Sequence, residues 1–271
     1  MAILPVIVSG CATRSNTDFR LFHTQTVILA EETVATMESA QLLAEMNLVE
    51  TIVDDNNGEL LENLVLQREG AFTLTMDSTS ISAVLEKSGR SVDEAALAIN
   101  IYSLLLTEVT ESQNIAFEIN AAAGPHKGIL SAAIAVLVEH GTIEHDAERT
   151  CQAMLTASPA IESISEAMAE LTEATANSVQ ATYADMAARR QRKIVSNGYT
   201  CKVVMELVEL NRHVTALLGD LQIIHDAWLT VPAIHDELKN SLTETSISAT
   251  LRILAGRMNE IREESQRERY C

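Results

Sequence analysis

Apolar residues recur at alternating steps of four and three through the C-terminal third of the chain, and this spacing constrains the fold more than any other feature. Val203, Leu207, Leu210, Val214, Leu217, Leu221, Ile224 and Trp228 form one unbroken seam. Ile247, Leu251, Leu254, Met258 and Ile261 repeat it, and Ile161, Ile164, Met168 and Leu171 give an earlier segment a similar stripe. On an α-helix residues three and four apart share a face, whereas a strand needs alternation by two. Each stripe therefore predicts one side of a helix packed at the shallow crossing angles of coiled coils and long bundles.

Composition points the same way. The 271 residues include only one Trp, four Tyr, four Phe, ten Gly and four Pro, too few aromatic pairs and turns for a sheet protein. Hydrophobic residues at 47% suffice for a core. The expected fold is all-α, an elongated antiparallel helical bundle whose coiled-coil-like helices of ~30 residues would each span ~45 Å.

Turn signals divide this body. A first helix is expected from Phe22 to Val53, stopped by Asp54-Asp55-Asn56-Asn57-Gly58. A second runs from Glu59 to Glu69-Gly70, and a third from Asp77-Ser78 to Ser88-Gly89. Ser91-Val92-Asp93-Glu94 is a capping-box sequence opening a helix that Gly124-Pro125 closes. The apolar Ile129 to Val138 follows, then a segment from Thr142 to Ser158-Pro159. Pro159 suits the first turn of a further helix reaching Ser196, and Asn197-Gly198 turns the chain. The last two helices are expected over Tyr199–Thr230 and from Pro232 to Arg267. Ala95 to Leu106 is apolar on nearly every side and should be central, with Asn100 and Tyr102 inside it requiring hydrogen-bond partners.

A formal net charge of −19 repels phosphate backbones, which excludes nucleic acid as a partner. The densest basic cluster is Arg189, Arg190, Arg192 and Lys193, just before Asn197-Gly198. It fits a solvated helix C-terminus, or a patch for a lipid headgroup or protein partner. No stretch approaches the ~20 apolar residues that span a bilayer; Ile129 to Val138 has the length of a buried core helix.

Signals for catalysis or metal binding are lacking. No His has Glu three residues before it, as a di-iron bundle requires. Zincin, nucleophile-elbow, phosphate-loop and EF-hand spacings are missing too. His-Asp recurs at His145-Asp146, His225-Asp226 and His235-Asp236, but adjacent helical residues diverge by ~100° and define no pocket. Glu139-His140 with Glu144-His145-Asp146 reads as a helix end and the acidic start of the next. Thr107, Thr110, Ser163, Thr172, Thr175 and Ser178 are expected on solvated or loosely packed helix faces. No catalytic residue, metal or cofactor is expected. Cys151 and Cys201 are candidates for a disulfide between neighbouring helices, and Cys271 for a bridge between copies, the alternative being three buried or idle thiols.

Val8-Ser9-Gly10-Cys11, at the end of the apolar Ala2 to Val8, resembles the lipobox of bacterial lipoproteins. The resemblance implies that residues 1–10 are a signal peptide remnant and that Cys11 is the lipidated first residue. A polar tether, 11–21, would then lead into a single helical-bundle domain, 22–271. No Lys or Arg precedes Cys11, so the basic start of the signal is expected upstream of Met1. Two or three acyl chains, at ~0.8 kcal/mol per buried CH₂, anchor stably where one does not. Ala12 in place of Asp implies the outer membrane, with the body facing the periplasm.

Three functions are consistent with these features: a lipid-anchored envelope protein of binding or structural role, meeting a partner or a second copy through its seams; a membrane-active protein of pore-forming type, resting on Ile129 to Val138; and a cytosolic helical interaction protein whose Ile3 to Val8 tucks into its own core.

Overall fold

A computed structural model describes residues 16–54, 95–107, 133, 135–136, 147–197, 201–240 and 249–270. These residues form helices and no strands, so the fold is all-α. We label the helices α1 (Asn16–Asp54), α2 (95–107), α3 (Ala147–Asn197), α4 (Cys201–Asn240) and α5 (Ala249–Tyr270). Residues 1–15, with Cys11, lie outside the described residues, as do 55–94, the Ser91–Glu94 box, most of Ile129 to Val138, and Cys271.

The helices distribute over two compact units, where the sequence predicts a single bundle from residue 22. The first unit holds α1 up to Ala30, α2, α3 up to Ala167, α4 from Ala227, and α5. The second holds α1 from Glu31, α3 from Met168 and α4 up to Asp226.

Three boundaries differ from expectation. Helix α1 begins at Asn16 rather than Phe22, so it takes in the second half of the segment expected as a tether. Phe19 and Phe22, 3% and 0% exposed, explain this: burying an aromatic side chain stabilises by ~1.5–3 kcal/mol and draws the preceding turn into the helix. Pro159 lies inside α3 instead of starting a new helix. It sits on the exposed face, and Leu155, whose carbonyl loses its i+4 donor, is 52% exposed, so water can replace the missing bond.

Pro232 likewise lies inside α4, so no turn occurs at Thr230, and that helix ends at Asn240. An interior proline costs ~3 kcal/mol. Val231, Ile234 and Leu238 around it are all fully buried, and at ~1.5–3 kcal/mol each they outweigh that cost.

The seams are where the spacing put them. Leu210, Val214, Leu217, Leu221, Ile224 and Trp228 are buried, while Val203 and Leu207 are half-buried near the start of α4. On α5, Leu251, Leu254, Met258 and Ile261 are at most 1% exposed; Ile247 is outside the described residues. Helix α2 is buried on nearly every side, as its composition requires, with Ile99, Tyr102, Ser103, Leu105 and Leu106 at 0%.

In the second unit, Tyr183 Oη donates to Asn211 Oδ1 at 2.9 Å and Arg190 donates to the Glu206 carbonyl at 2.8 Å. One number rises as the other falls, so α3 and α4 are antiparallel there. Asn47 pairs with Asp185 and Thr51 with Arg189, rising together, so α1 and α3 are parallel. Ala40, Leu43, Val179, Met186, Leu210, Val214, Leu217 and Leu221 form the core between them.

Candidate functional site

Two clusters of buried polar side chains stand out, one in each unit. In the first unit, the Tyr102 hydroxyl on α2 and Nε2 of His235 on α4 are 2.9 Å apart, and both residues are buried. The imidazole also meets the rings of Phe22 and Tyr102 at centroid distances of 6.3 and 5.8 Å, tilted by 47° and 50°. At the next residue of α2, Ser103 Oγ lies 2.9 Å from Nδ1 of His23 and 3.2 Å from Thr26 Oγ1. Tyr102 thus has the partner that its place in an apolar helix demands. The Asn100 Oδ1 atom is buried with no hydrogen-bond partner among the described residues.

Electrostatics keep this cluster uncharged. Burial, with the nearby Lys239 ammonium, lowers the His235 pKa to about 4 against the weaker opposite pull of Asp236. Burial pushes the Tyr102 phenol well above its ordinary value and lowers His23. At neutral pH the pair is a neutral imidazole sharing one proton with a neutral phenol, a bond that ties α2 to α4. Lys239 faces the adjacent carboxylate, Asp236 Oδ1, at 2.6 Å, and reaches Ser158 Oγ on α3 at 3.4 Å.

The cluster in the second unit is built on Arg189, which is 7% exposed. Its guanidinium donates to Oδ1 and to the backbone carbonyl of Asn47 and to Thr51 Oγ1 on α1, and pairs with Asp185 at 3.0 Å. Arg190 pairs with Glu50 at 2.6 Å while donating to the Glu206 carbonyl. Two consecutive arginines of α3 therefore clamp the last turns of α1, and the second also reaches α4. Planar guanidinium forks suit this multidentate task where Lys would not.

This placement corrects the reading of Arg189, Arg190, Arg192 and Lys193 as one outward patch. Arg189 is buried and Arg190 engaged, leaving Arg192 exposed and Lys193 half-buried. Cys151 and Cys201 are free thiols, the first half-buried near the start of α3 and the second exposed at the start of α4, beyond the far end of α3. A helix of 51 residues therefore runs between them and no bridge forms. The two described His-Asp pairs differ: His225 meets Asp226 at 3.2 Å on a half-buried surface, while His235 turns inward and Asp236 towards Lys239. His145-Asp146 and the Glu139 to Asp146 cluster are outside the described residues. Among the described residues no group of three or more His, Cys, Asp or Glu converges on a metal-sized site, and no helix is long and apolar enough to cross a membrane.

The hydroxyl residues expected on solvated faces are partly internal. Thr107, Thr172 and Thr175 are buried, Ser178 is half-buried and only Ser163 is exposed; Thr110 lies outside the described residues. Burial is tolerated because each buried hydroxyl donates back into its own helix, Thr107 to Ser103, Thr172 to Met168 and Thr175 to Leu171, at 2.7–3.0 Å.

Comparison of the chain with protein-family models, with curated proteins and with solved structures finds no match.

Proposed function

We propose that this protein is a lipid-anchored envelope scaffold: a helical-bundle body, held to a membrane through acyl chains on Cys11, that works by presenting helical surface to a partner rather than by catalysis. The observation that carries the scaffold part is the use made of its buried polar groups. Tyr102 with His235, and Arg189 with Asn47 and Thr51, join helix to helix in the cores of their units. Polar residues in otherwise apolar seams fix register, since any slip leaves them unpaired. A body built for register is suited to holding a surface in a fixed geometry.

The anchor rests on Val8-Ser9-Gly10-Cys11. Growth with radiolabelled palmitate should label the protein and not the Cys11→Ala variant, and the label should sediment with outer membranes. Absence of label, or equal labelling of both proteins, removes the anchor and leaves a helical interaction protein. Leakage of dye from lipid vesicles at low protein dose would instead favour the membrane-active reading.

A further inference from the structure

Helix α1 carries a second apolar stripe beside its core seam. Leu42, Met46, Val49 and Val53 follow steps of 4, 3 and 4, the spacing of a helix-packing seam, yet they are 57%, 45%, 40% and 52% exposed. Leu43, in the core of the same turns, is 1% exposed. At ~100° per residue the stripe is bounded by carboxylates on both edges. Glu38 and Glu45 flank it on one side, and Glu50, already paired with Arg190, on the other. Four large apolar side chains in register on an exposed helix mark an interaction surface.

We infer that this stripe is the docking face for a cationic amphipathic helix of a partner protein, one with apolar residues at three- and four-residue spacing and Lys or Arg on its flanks. The charges select this occupant. Apolar contact accounts for the stripe, and flanking basic residues answer Glu38 and Glu45 as opposite charges do beside a coiled-coil seam. A second copy matches poorly. Paired antiparallel, the Glu38 and Glu45 edges of the two copies run side by side, and like charges so placed are destabilising; paired parallel, Glu45 of one lies against the Glu50–Arg190 pair of the other, whose cation is already engaged. An anionic bilayer surface is disfavoured by the same carboxylates and by the net charge of −19. Four side chains and their flanks are far fewer than the ~20–30 residues a side of a stable complex, so the interaction is weak and salt-sensitive.

The inference deepens the scaffold reading and is independent of the lipid. The probe is a synthetic 21-residue peptide with Leu at the seam positions and Lys on the flanks, set against the same peptide with Glu flanks. Binding to the full chain is followed by fluorescence anisotropy at low and at physiological salt. The Lys peptide should bind at least tenfold more tightly than the Glu peptide. The Met46→Asp/Val49→Asp double variant, whose changes are both exposed and whose helicity is checked by circular dichroism, should lose binding at least tenfold. The Glu38→Lys/Glu45→Lys variant keeps the apolar stripe and should invert the preference. Equal binding of the two peptides, or binding untouched by both variants, overturns the inference. So does a native dimer that Met46→Asp/Val49→Asp dissolves, which assigns the stripe to a second copy, or vesicle binding lost in that variant, which assigns it to lipid. Loss of palmitate labelling with peptide binding intact would refute the anchor alone.

Discussion

Two buried residues show how much one polar side chain decides in these bundles. His235 holds its pKa at about 4, against ~6.5 in an unfolded chain, so between those values the unfolded state takes up a proton that the folded state refuses. Stability from this group is complete above pH ~6.5 and is lost as pH falls towards 4, by about 3 kcal/mol if the whole shift is expressed. The single Trp, Trp228, is buried in the same unit and its fluorescence should report the loss: the denaturation midpoint should fall from pH 7 to pH 4.5, and the fall should be smaller in His235→Phe. Tyr102→Phe strands the imidazole nitrogen and should cost about 1–3 kcal/mol by the same measurement. Arg189→Ala removes the donor to Asn47 Oδ1 and Thr51 Oγ1, which leaves Asn47 bonded only to Asp185 and Thr51 only to its own helix, and should cost a similar amount in the second unit, read by circular dichroism. Arg189→Lys should recover little of it, because an ammonium cannot reproduce the fork. Both residues lie where heptad spacing points. His235 is seven residues beyond Trp228, and Arg189 is twenty-one beyond Met168. Reading the α4 seam as ending before Pro232, and the basic cluster as a helix end, hid them.

At the scale of the helix, the seam of α3 is the unexpected element. From Met168 the positions spaced by four and three are Thr172, Thr175, Val179, Thr182, Met186 and Arg189, all buried. Hydropathy shows Ile161, Ile164 and Met168 and then fades, because threonine does not register as apolar. Its methyl packs all the same, while its hydroxyl bonds to a carbonyl of its own helix. The carbonyls that Thr172 and Thr175 reach are already served by the helix ladder, so these hydroxyls contribute little net stability. Thr172→Val should therefore stabilise the second unit by up to about 1 kcal/mol and raise Tm by a few degrees. A drop in Tm would show that the hydroxyl matters to the seam. On α4, where the seam is fully apolar, Leu217→Ala should cost about 2–5 kcal/mol.

For the whole molecule the dominant physical fact is charge. A net charge of −19 repels itself, and screening shortens the reach of that repulsion from ~30 Å at 0.01 M salt to ~8 Å at 0.15 M. Melting temperature should therefore rise over this range; a fall would mean that ion pairs such as Arg190 with Glu50 outweigh the repulsion. Fold class was legible in the sequence, as were the seams of α4 and α5 and the burial of α2. Each follows from local periodicity and composition, which act whatever the neighbours are. The start of α1 at Asn16 and the continuation of α3 through Pro159 and of α4 through Pro232 were not legible, because packing against distant segments outweighs the local cost at Asn16 and Pro232, and solvent exposure set by the fold relieves it at Pro159. Nor were the inward turn of Arg189, the pairing of His235 with Tyr102, or the separation of Cys151 from Cys201. The sequence by itself determined which faces of its helices are apolar and how long a seam each can support. Tertiary structure decided which of those faces are covered and which polar side chains are enclosed with them, because partner and burial belong to contacts between residues far apart in the chain.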